Sequence, residues 1–148
     1  MSISVRQADT TDLDWVNQCY AAIDFTPSHS GELIVIASHN GQAAGLGRVV
    51  PLENGQGELG GIYVLDDFRG LGIASVVVDS LLQQAANTPL YCLPFAKLAE
   101  FYMGKGFAPL PADHNVPAVI ENKHAWCNQH YAEPVLLLYR PAQRHASQ

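Results

Sequence analysis

The sequence predicts a mixed α/β fold on one mostly antiparallel sheet with a single parallel strand pair, and three observations predict it. The apolar runs LIVIAS (33–38), AAGLGRVV (43–50) and ELGGIYVL (58–65) follow one another with only turn residues between them, the pattern of an antiparallel meander. Segments of helical period precede and follow that meander in the chain. A glycine turn, an apolar helix and the strand LYCL (90–93) then come in order, the layout of a crossover between parallel strands.

Each element has its own signal. Residues 3–7 (ISVRQ) alternate as a strand, Asp9 to Asp12 offer caps, and Leu13, Val16, Tyr20 and Ile23 recur at helical spacing. DFTPSHSGE (24–32) is a polar loop holding Pro27 and Gly31, His39 to Gln42 a hairpin turn, and Pro51 to Gly57 a second turn. The next helix runs from near Gly72 to about Ala86, with Ala74, Val77, Val78, Leu81 and Ala85 on one face. Its consecutive valines also suit a strand, but its length and the helix formers that follow decide for helix. Asn87 to Pro89 stop it. Ala96 to Lys105 form a short helix ended by Gly106, and a looser proline-rich stretch leads to a helix through Ile120, Lys123, His124, Cys127 and Tyr131. PVLLLYR (134–140) is the final strand, and the last eight residues read as a frayed tail. Without repeat, low-complexity tract or linker, residues 1–148 read as a single domain.

Composition narrows the function. A chain of 148 residues can bury one core, and with 48% hydrophobic and 15% charged residues it is not a disordered one. A formal charge of -6 argues against nucleic acid and against recruitment to anionic lipid. No run is long enough to span a bilayer, and the polar, acidic N-terminus lacks a signal peptide's apolar stretch. Cys19, Cys92 and Cys127 are far apart, as reduced thiols are. The expected compartment is the cytoplasm.

The chemistry is signalled at Arg69-Gly70-Leu71-Gly72-Ile73-Ala74. Two glycines between a strand and a helix allow backbone conformations and close approaches that side chains block. The N–H groups from Gly70 to Ser75 lie where helix donors lack partners and the dipole is positive. That combination suits a phosphate. The turn lacks the GK[ST] ending of a nucleotide-triphosphate loop, and its glycine spacing does not fit a dinucleotide fingerprint.

The same six residues match the R/Q-x-x-G-x-G/A signature of the GNAT superfamily of acyl-CoA-dependent N-acetyltransferases, with Phe68 at the aromatic position before it. Downstream, Phe101-Tyr102-Met103-Gly104-Lys105-Gly106-Phe107 matches that superfamily's FY-x-x-x-GF motif. One helix and one strand separate the two, as in GNAT proteins, so the chain resembles that superfamily over nearly its whole length. The resemblance implies a mixed sheet with helices on both faces and a splayed parallel strand pair. It implies acetyl-CoA as cosubstrate, with its pyrophosphate on the turn from Arg69 and Gly70 through Leu71, Gly72, Ile73 and Ala74 to Ser75. Its pantetheine arm would pair with the strand at Ile62, Tyr63 and Val64, where a backbone N–H would also polarise the thioester oxygen.

Two side chains are expected to move protons. Glu58, at the start of its strand, matches the glutamate that serves several GNAT enzymes as general base, and partial burial would suit it to that role. Otherwise it is a surface carboxylate closing a turn. Tyr102 matches the family's tyrosine that protonates the leaving sulfur; otherwise it packs beside Phe101, with Phe101 expected in the core and Tyr102 facing the cleft. Asp66 and Asp67 read as loop residues. His124, Cys127 and His130 step by three and drift round a helix without a fourth ligand, so no metal is expected. Cys92 is a minor candidate for a ping-pong nucleophile; direct transfer in a ternary complex is the expected route. Trp15 and Trp126 read as packing residues.

The acceptor is expected to be a small primary amine or amino acid, because ELGGIYV resembles strands of the amino-acid N-acetyltransferase branch. The first helix, the 24–32 loop and residues 108–133 should build its site. No nucleic acid or membrane partner is expected, and a homodimer is left open. The alternatives are a protein or peptide N-acetyltransferase and a non-catalytic acetyl-CoA-binding sensor.

Overall fold

The computed structural model describes residues 2–143. Seven strands form one sheet in the order β1-β2-β3-β4-β5-β7-β6, mostly antiparallel with β4 and β5 as its parallel pair. The strands are β1 Ile3–Gln7, β2 Leu33–His39, β3 Gln42–Pro51, β4 Gly57–Val64, β5 Leu90–Cys92, β6 Ala108–Pro109 and β7 Leu138–Arg140. The helices are α1 Leu13–Ala22, α2 Ile73–Gln84, α3 Ala99–Met103 and α4 Ala118–His130. The chain forms two compact units: residues up to Pro51 with Leu59–Ala85, and Leu52–Glu58 with the residues from Ala86 onward.

In the first unit, strand alternation assigns each face of β3 to a different helix. Leu46 pairs with Ile36 and Arg48 with Ile34 across the β2–β3 ladder. Leu46, Ile34 and Ile36 pack on Val16 and Tyr20 of α1, with Leu13, Trp15 and Ile23 around them. Fully burying a side chain such as Leu46 contributes roughly 1.5–3 kcal/mol. On the other face Gly45 and Gly47 lie under α2. A Cβ at Gly47 would stand 2.7 Å from Val77 Cγ1 and 3.0 Å from Leu81 Cδ1, so the glycines let the helix approach the strand closely. Ile73, Val77, Val78, Leu81 and Leu82 form the buried face of α2, with Ala85 buried just past its end; Ala74 is only half-buried. The apolar period thus fixes the helix, and its buried stripe is wider than the expected one.

In the second unit β5 and β6 each pair antiparallel with β7. The expected strand over 134–140 pairs as a strand only at its last three residues. Its beginning is held by a bridge between Phe95 and Val135 and by the Leu136 N–H donating to the Pro94 carbonyl at 2.8 Å. Strand β6, two residues long, lies inside the proline-rich stretch and carries no period to betray it. The expected helix 96–105 begins as a 3₁₀ turn over Ala96–Leu98. The expected frayed tail begins anchored, since Gln143 N–H donates to the Ala86 carbonyl at 2.7 Å; residues 144–148 lie outside the described residues. Among the described residues no helix is long and apolar enough to cross a membrane.

Candidate active site

The glycine turn takes the backbone conformation its sequence demands. Gly70 (φ +80°) and Gly72 (φ +82°) are both left-handed, and Gly72 caps α2. A Cβ at either position would meet nothing within 4 Å, so the turn faces open space. The first helical bond of α2 runs from Val76 N–H to the Gly72 carbonyl, 3.3 Å. From Gly70 to Ala74 the N–H groups donate to no backbone carbonyl among the described residues. An anion at this place would meet donors that the helix itself leaves over. Arg69, largely exposed, pairs with Asp66 at 3.2 Å across the turn. Asp66 and Asp67 lie in an exposed 3₁₀ turn, as expected.

Within β4, Gly61 takes a left-handed φ of +62°, a conformation that favours glycine. Its carbonyl turns toward α1 and accepts from Tyr20 Oη at 2.7 Å. Beyond this point Ile62, Tyr63 and Val64 are half-buried. The left-handed glycine at 61 comes just before the residues expected to meet the pantetheine arm.

The second unit brings Glu58, Lys123, Cys127, Cys92 and Tyr102 into one electrostatic neighbourhood. Glu58 is 9% exposed, and its Oε2 accepts from Lys123 Nζ at 2.6 Å. Lys123 projects from α4 and was not expected here; its helical position is legible in sequence, but nothing local links it to a strand 65 residues earlier. The ion pair places an ammonium on the very carboxylate expected to take a proton from one. Burial, and then the Glu58 charge, hold the Cys92 thiol far above the ordinary cysteine range. Burial likewise raises Cys127, partly offset by Lys123. Thiols held neutral are poor nucleophiles.

Tyr102 is 8% exposed, and Phe101 is the less buried of the two aromatics, reversing the expected order. Tyr102 stands edge-on to Phe101 and Phe107, with ring centroids 5.0 and 6.1 Å away. Burial, with a smaller contribution from Cys92, pushes its phenol above the ordinary tyrosine value. Its hydroxyl makes no hydrogen bond among the described residues, so a protonated donor is left available.

The His124, Cys127 and His130 set is dispersed. His124 Nε2 lies 2.7 Å from the Val135 carbonyl, while His130 stacks on Trp126 at 3.8 Å. Among the described residues no group of three or more His, Cys, Asp or Glu could hold a metal ion. Trp15 packs against the core as expected. Trp126 is 49% exposed and is not a core residue; it lies on the outward face of α4, a helix whose apolar residues follow no clear stripe.

Comparisons with known proteins bear on the family and the fold. Residues 3–107 match the acetyltransferase (GNAT) family. No curated protein sequence matches the chain at a significant level. Among solved structures, N-acetylglutamate synthase from Neisseria gonorrhoeae, complexed with coenzyme A and L-arginine, superposes with a TM-score of 0.68 at 16% identity. That alignment covers 96% of this chain but only 34% of the synthase, so the chain spans about a third of its length. A Mycobacterium tuberculosis protein in complex with CoA gives 0.71 at 19% identity, covering 93% of this chain and 98% of that one. The alanine N-acetyltransferase of a ribosomal protein from Escherichia coli gives 0.67 at 14%, covering 99% and 98%. At these identities the likeness is one of fold. The family match over well over half the chain, on a fold and a glycine turn that fit it, is decisive: the chain belongs to the GNAT family of acetyltransferases.

Proposed function

We propose that the protein transfers the acetyl group of acetyl-CoA directly to a primary amine, a small molecule or amino acid, with residues 1–148 acting as one catalytic domain. The observation that carries this reading is Glu58, a carboxylate nine-tenths buried that already receives an ammonium, Lys123 Nζ, at 2.6 Å. A carboxylate so placed fits an acceptor that must arrive as an ammonium and lose a proton before it can attack.

Acetyl-CoA supplies an activated acyl group on a thiol leaving group; the protein's residues bind and move protons. The N–H groups of the turn from Gly70 to Ser75, with Arg69, hold the pyrophosphate. Backbone groups of Ile62, Tyr63 and Val64 pair with the pantetheine amides. Glu58 takes one proton from the acceptor ammonium after the acceptor displaces Lys123, and later releases it to solvent. Tyr102 donates its phenolic proton to the departing sulfur and recovers one from the nitrogen as the amide forms. Direct transfer is supported by Cys92, which is 2% exposed with its thiol held neutral.

The fold does not choose the acceptor, since an amino-acid acetylating synthase and a ribosomal-protein acetyltransferase superpose about equally well, at 0.68 and 0.67. The test is incubation with acetyl-CoA and a panel of amines, amino acids and lysine peptides, reading CoA release and product mass together. Acetylated small amines are the expected products. Acetylation of peptides alone would favour a protein-modifying enzyme, and acetyl-CoA binding without any product a sensor.

A further inference from the structure

Arg48 is the only charged residue of β3, QAAGLGRVVP, and it points into the α1 face of the first unit at 8% exposure. A guanidinium on a largely buried residue is ordinarily matched by a carboxylate. Among the described residues Arg48 has none within ion-pair distance. Its carbon lies 4.3 Å from the centroid of the Tyr20 ring. One nitrogen, Nη1, donates to the Thr26 carbonyl at 2.8 Å and to Ser28 Oγ at 2.6 Å. Its Nε and Nη2 make no hydrogen bond among the described residues. Glu32, at the end of the same loop, accepts from the His29 N–H at 3.1 Å and not from Arg48.

The surroundings are built to hold this arrangement. Ser28 is 3% exposed. It is fixed by a reciprocal pair with Asn17 of α1: its N–H donates to Asn17 Oδ1 at 2.7 Å, and its carbonyl accepts from Asn17 Nδ2 at 3.1 Å. With its oxygen accepting from Arg48, the Ser28 hydroxyl keeps its own proton to donate. The guanidinium edge also lies against β4: a Cβ at Gly61 would stand 3.0 Å from Arg48 Nε and 2.5 Å from Tyr20 Oη. Arg48 Nε therefore lies beside Gly61, the residue before Ile62.

We propose that Arg48 and Ser28 form a carboxylate subsite, so that the acceptor is an amino acid or another small primary amine carrying a carboxylate. This inference rests on the amine-acetylation reading above and deepens it. A carboxylate bound there would give the guanidinium the ion-pair partner it lacks among the described residues. Glu32 of the same loop acts electrostatically on Tyr20, as Arg48 does with the opposite sign, but its buried Oε1 has no hydrogen-bond partner among the described residues and does not pair with Arg48. Planar, two-oxygen recognition is what free Nε and Nη2 donors offer. The first helix and the 24–32 loop, expected to build the acceptor site, supply Tyr20, Asn17 and Ser28 for this purpose.

The test compares probes alike except in charge: the standard amino acids against their carboxamides. Binding to the CoA-loaded protein is read by calorimetry, and acetylation by CoA release. In the wild type, at least one free amino acid should bind and react roughly 10²-fold better than its amide, because the amide leaves the guanidinium uncompensated. Arg48→Gln should remove that preference while leaving acetyl-CoA binding intact, and Arg48→Lys should keep part of it. Should Arg48→Gln not fold, the wild-type comparison decides alone. Amides equal to acids in the wild type, a folded Arg48→Gln with its preference kept, or no binding of any amino acid would each overturn the subsite. Acetylation indifferent to the carboxylate would leave the transfer reading standing and remove the subsite. Arg48-dependent amino-acid binding without product would do the reverse.

Discussion

Replacing Gly72 by aspartate separates the cost of a left-handed residue from the loss of a phosphate site. The backbone there sits at φ +82° with nothing within 4 Å of a Cβ, so the substitution meets conformational strain and no clash. That strain is about 1–2 kcal/mol, less for aspartate than for most residues. In a protein of this size it lowers Tm by roughly 2–8 °C. The ligand effect is separate. A carboxylate beside the pyrophosphate repels it and blocks close approach; losing one charge-assisted hydrogen bond, worth about 1.5–3 kcal/mol, weakens binding roughly 10–100-fold. At acetyl-CoA about 100-fold above its dissociation constant, wild-type stabilisation is about 2.7 kcal/mol, and a 100-fold weaker ligand leaves about 0.4 kcal/mol. Thermal denaturation with and without acetyl-CoA reads both quantities. Gly55 is the internal control, being left-handed (φ +73°) with nothing within 4 Å and outside the proposed phosphate turn. Gly55→Asp should cost similar stability and keep the full ligand shift. If Gly72→Asp folds and keeps the wild-type shift, the phosphate assignment is wrong.

Further outcomes follow from the second unit and from the N-terminal cap. Glu58→Gln and Tyr102→Phe should both retain acetyl-CoA binding and lose roughly 10²–10⁴-fold in turnover; raising the pH should restore part of the Glu58→Gln rate by supplying free amine, and none of the Tyr102→Phe rate. Because the Tyr102 phenol is held above its ordinary value, it stays a proton donor as pH rises, and wild-type kcat should show no alkaline loss through about pH 10; a decline below about pH 10 that Tyr102→Phe abolishes would show the phenol titrating in its ordinary range and count against its raised value. Lys123→Met should destabilise by about 1–3 kcal/mol, between exposed and buried ion pairs, in chemical denaturation; no change would mean Glu58 is solvated without its partner. The Asp12 carboxyl is held below its ordinary range by two hydrogen bonds from Arg6, both 2.8 Å, and by one from the Asp9 N–H. A depressed carboxylate contributes above its unfolded pKa, about 3.9, and that contribution fades as pH falls toward the folded value. Asp12→Asn should therefore flatten the fall of Tm below about pH 4 and leave a constant offset above it; an unchanged acid limb would contradict this.

How far the sequence reached depends on whether the deciding contact is local. Glycines at 70 and 72 announce a left-handed turn before α2, because few other residues adopt that backbone, and the structure has φ +80° and +82° there. The α1 face was legible for a similar reason: Val16 and Tyr20 recur at helical period and both are fully buried. The valines of α2 fall on the helix that length demanded. What escaped was set by tertiary partners. Residues 134–137 look like strand, yet their bonds go to Pro94 and Ala96 and, from Val135, to the Asn128 side chain, outside the ladder. Lys123 meets Glu58 across 65 positions, a pairing no local pattern encodes. Phe101 and Tyr102 exchange their expected burial because the phenol ring fits between Phe101 and Phe107. Arg48 did carry a signal, a lone charge inside LGRVV, but its meaning required Ser28 and Tyr20 to stand around it.

The central claim is that acetyl passes from acetyl-CoA to an amine without resting on the protein. Intact-mass measurement in a single turnover tests it most directly. Protein in excess over acetyl-CoA should release no CoA and gain no acetyl mass until an acceptor is added. On addition, CoA and the N-acetylated amine should appear together in equal amounts. Release of CoA without acceptor, with an acetyl group on Cys92 or any other side chain that is then chased onto the amine, would contradict direct transfer.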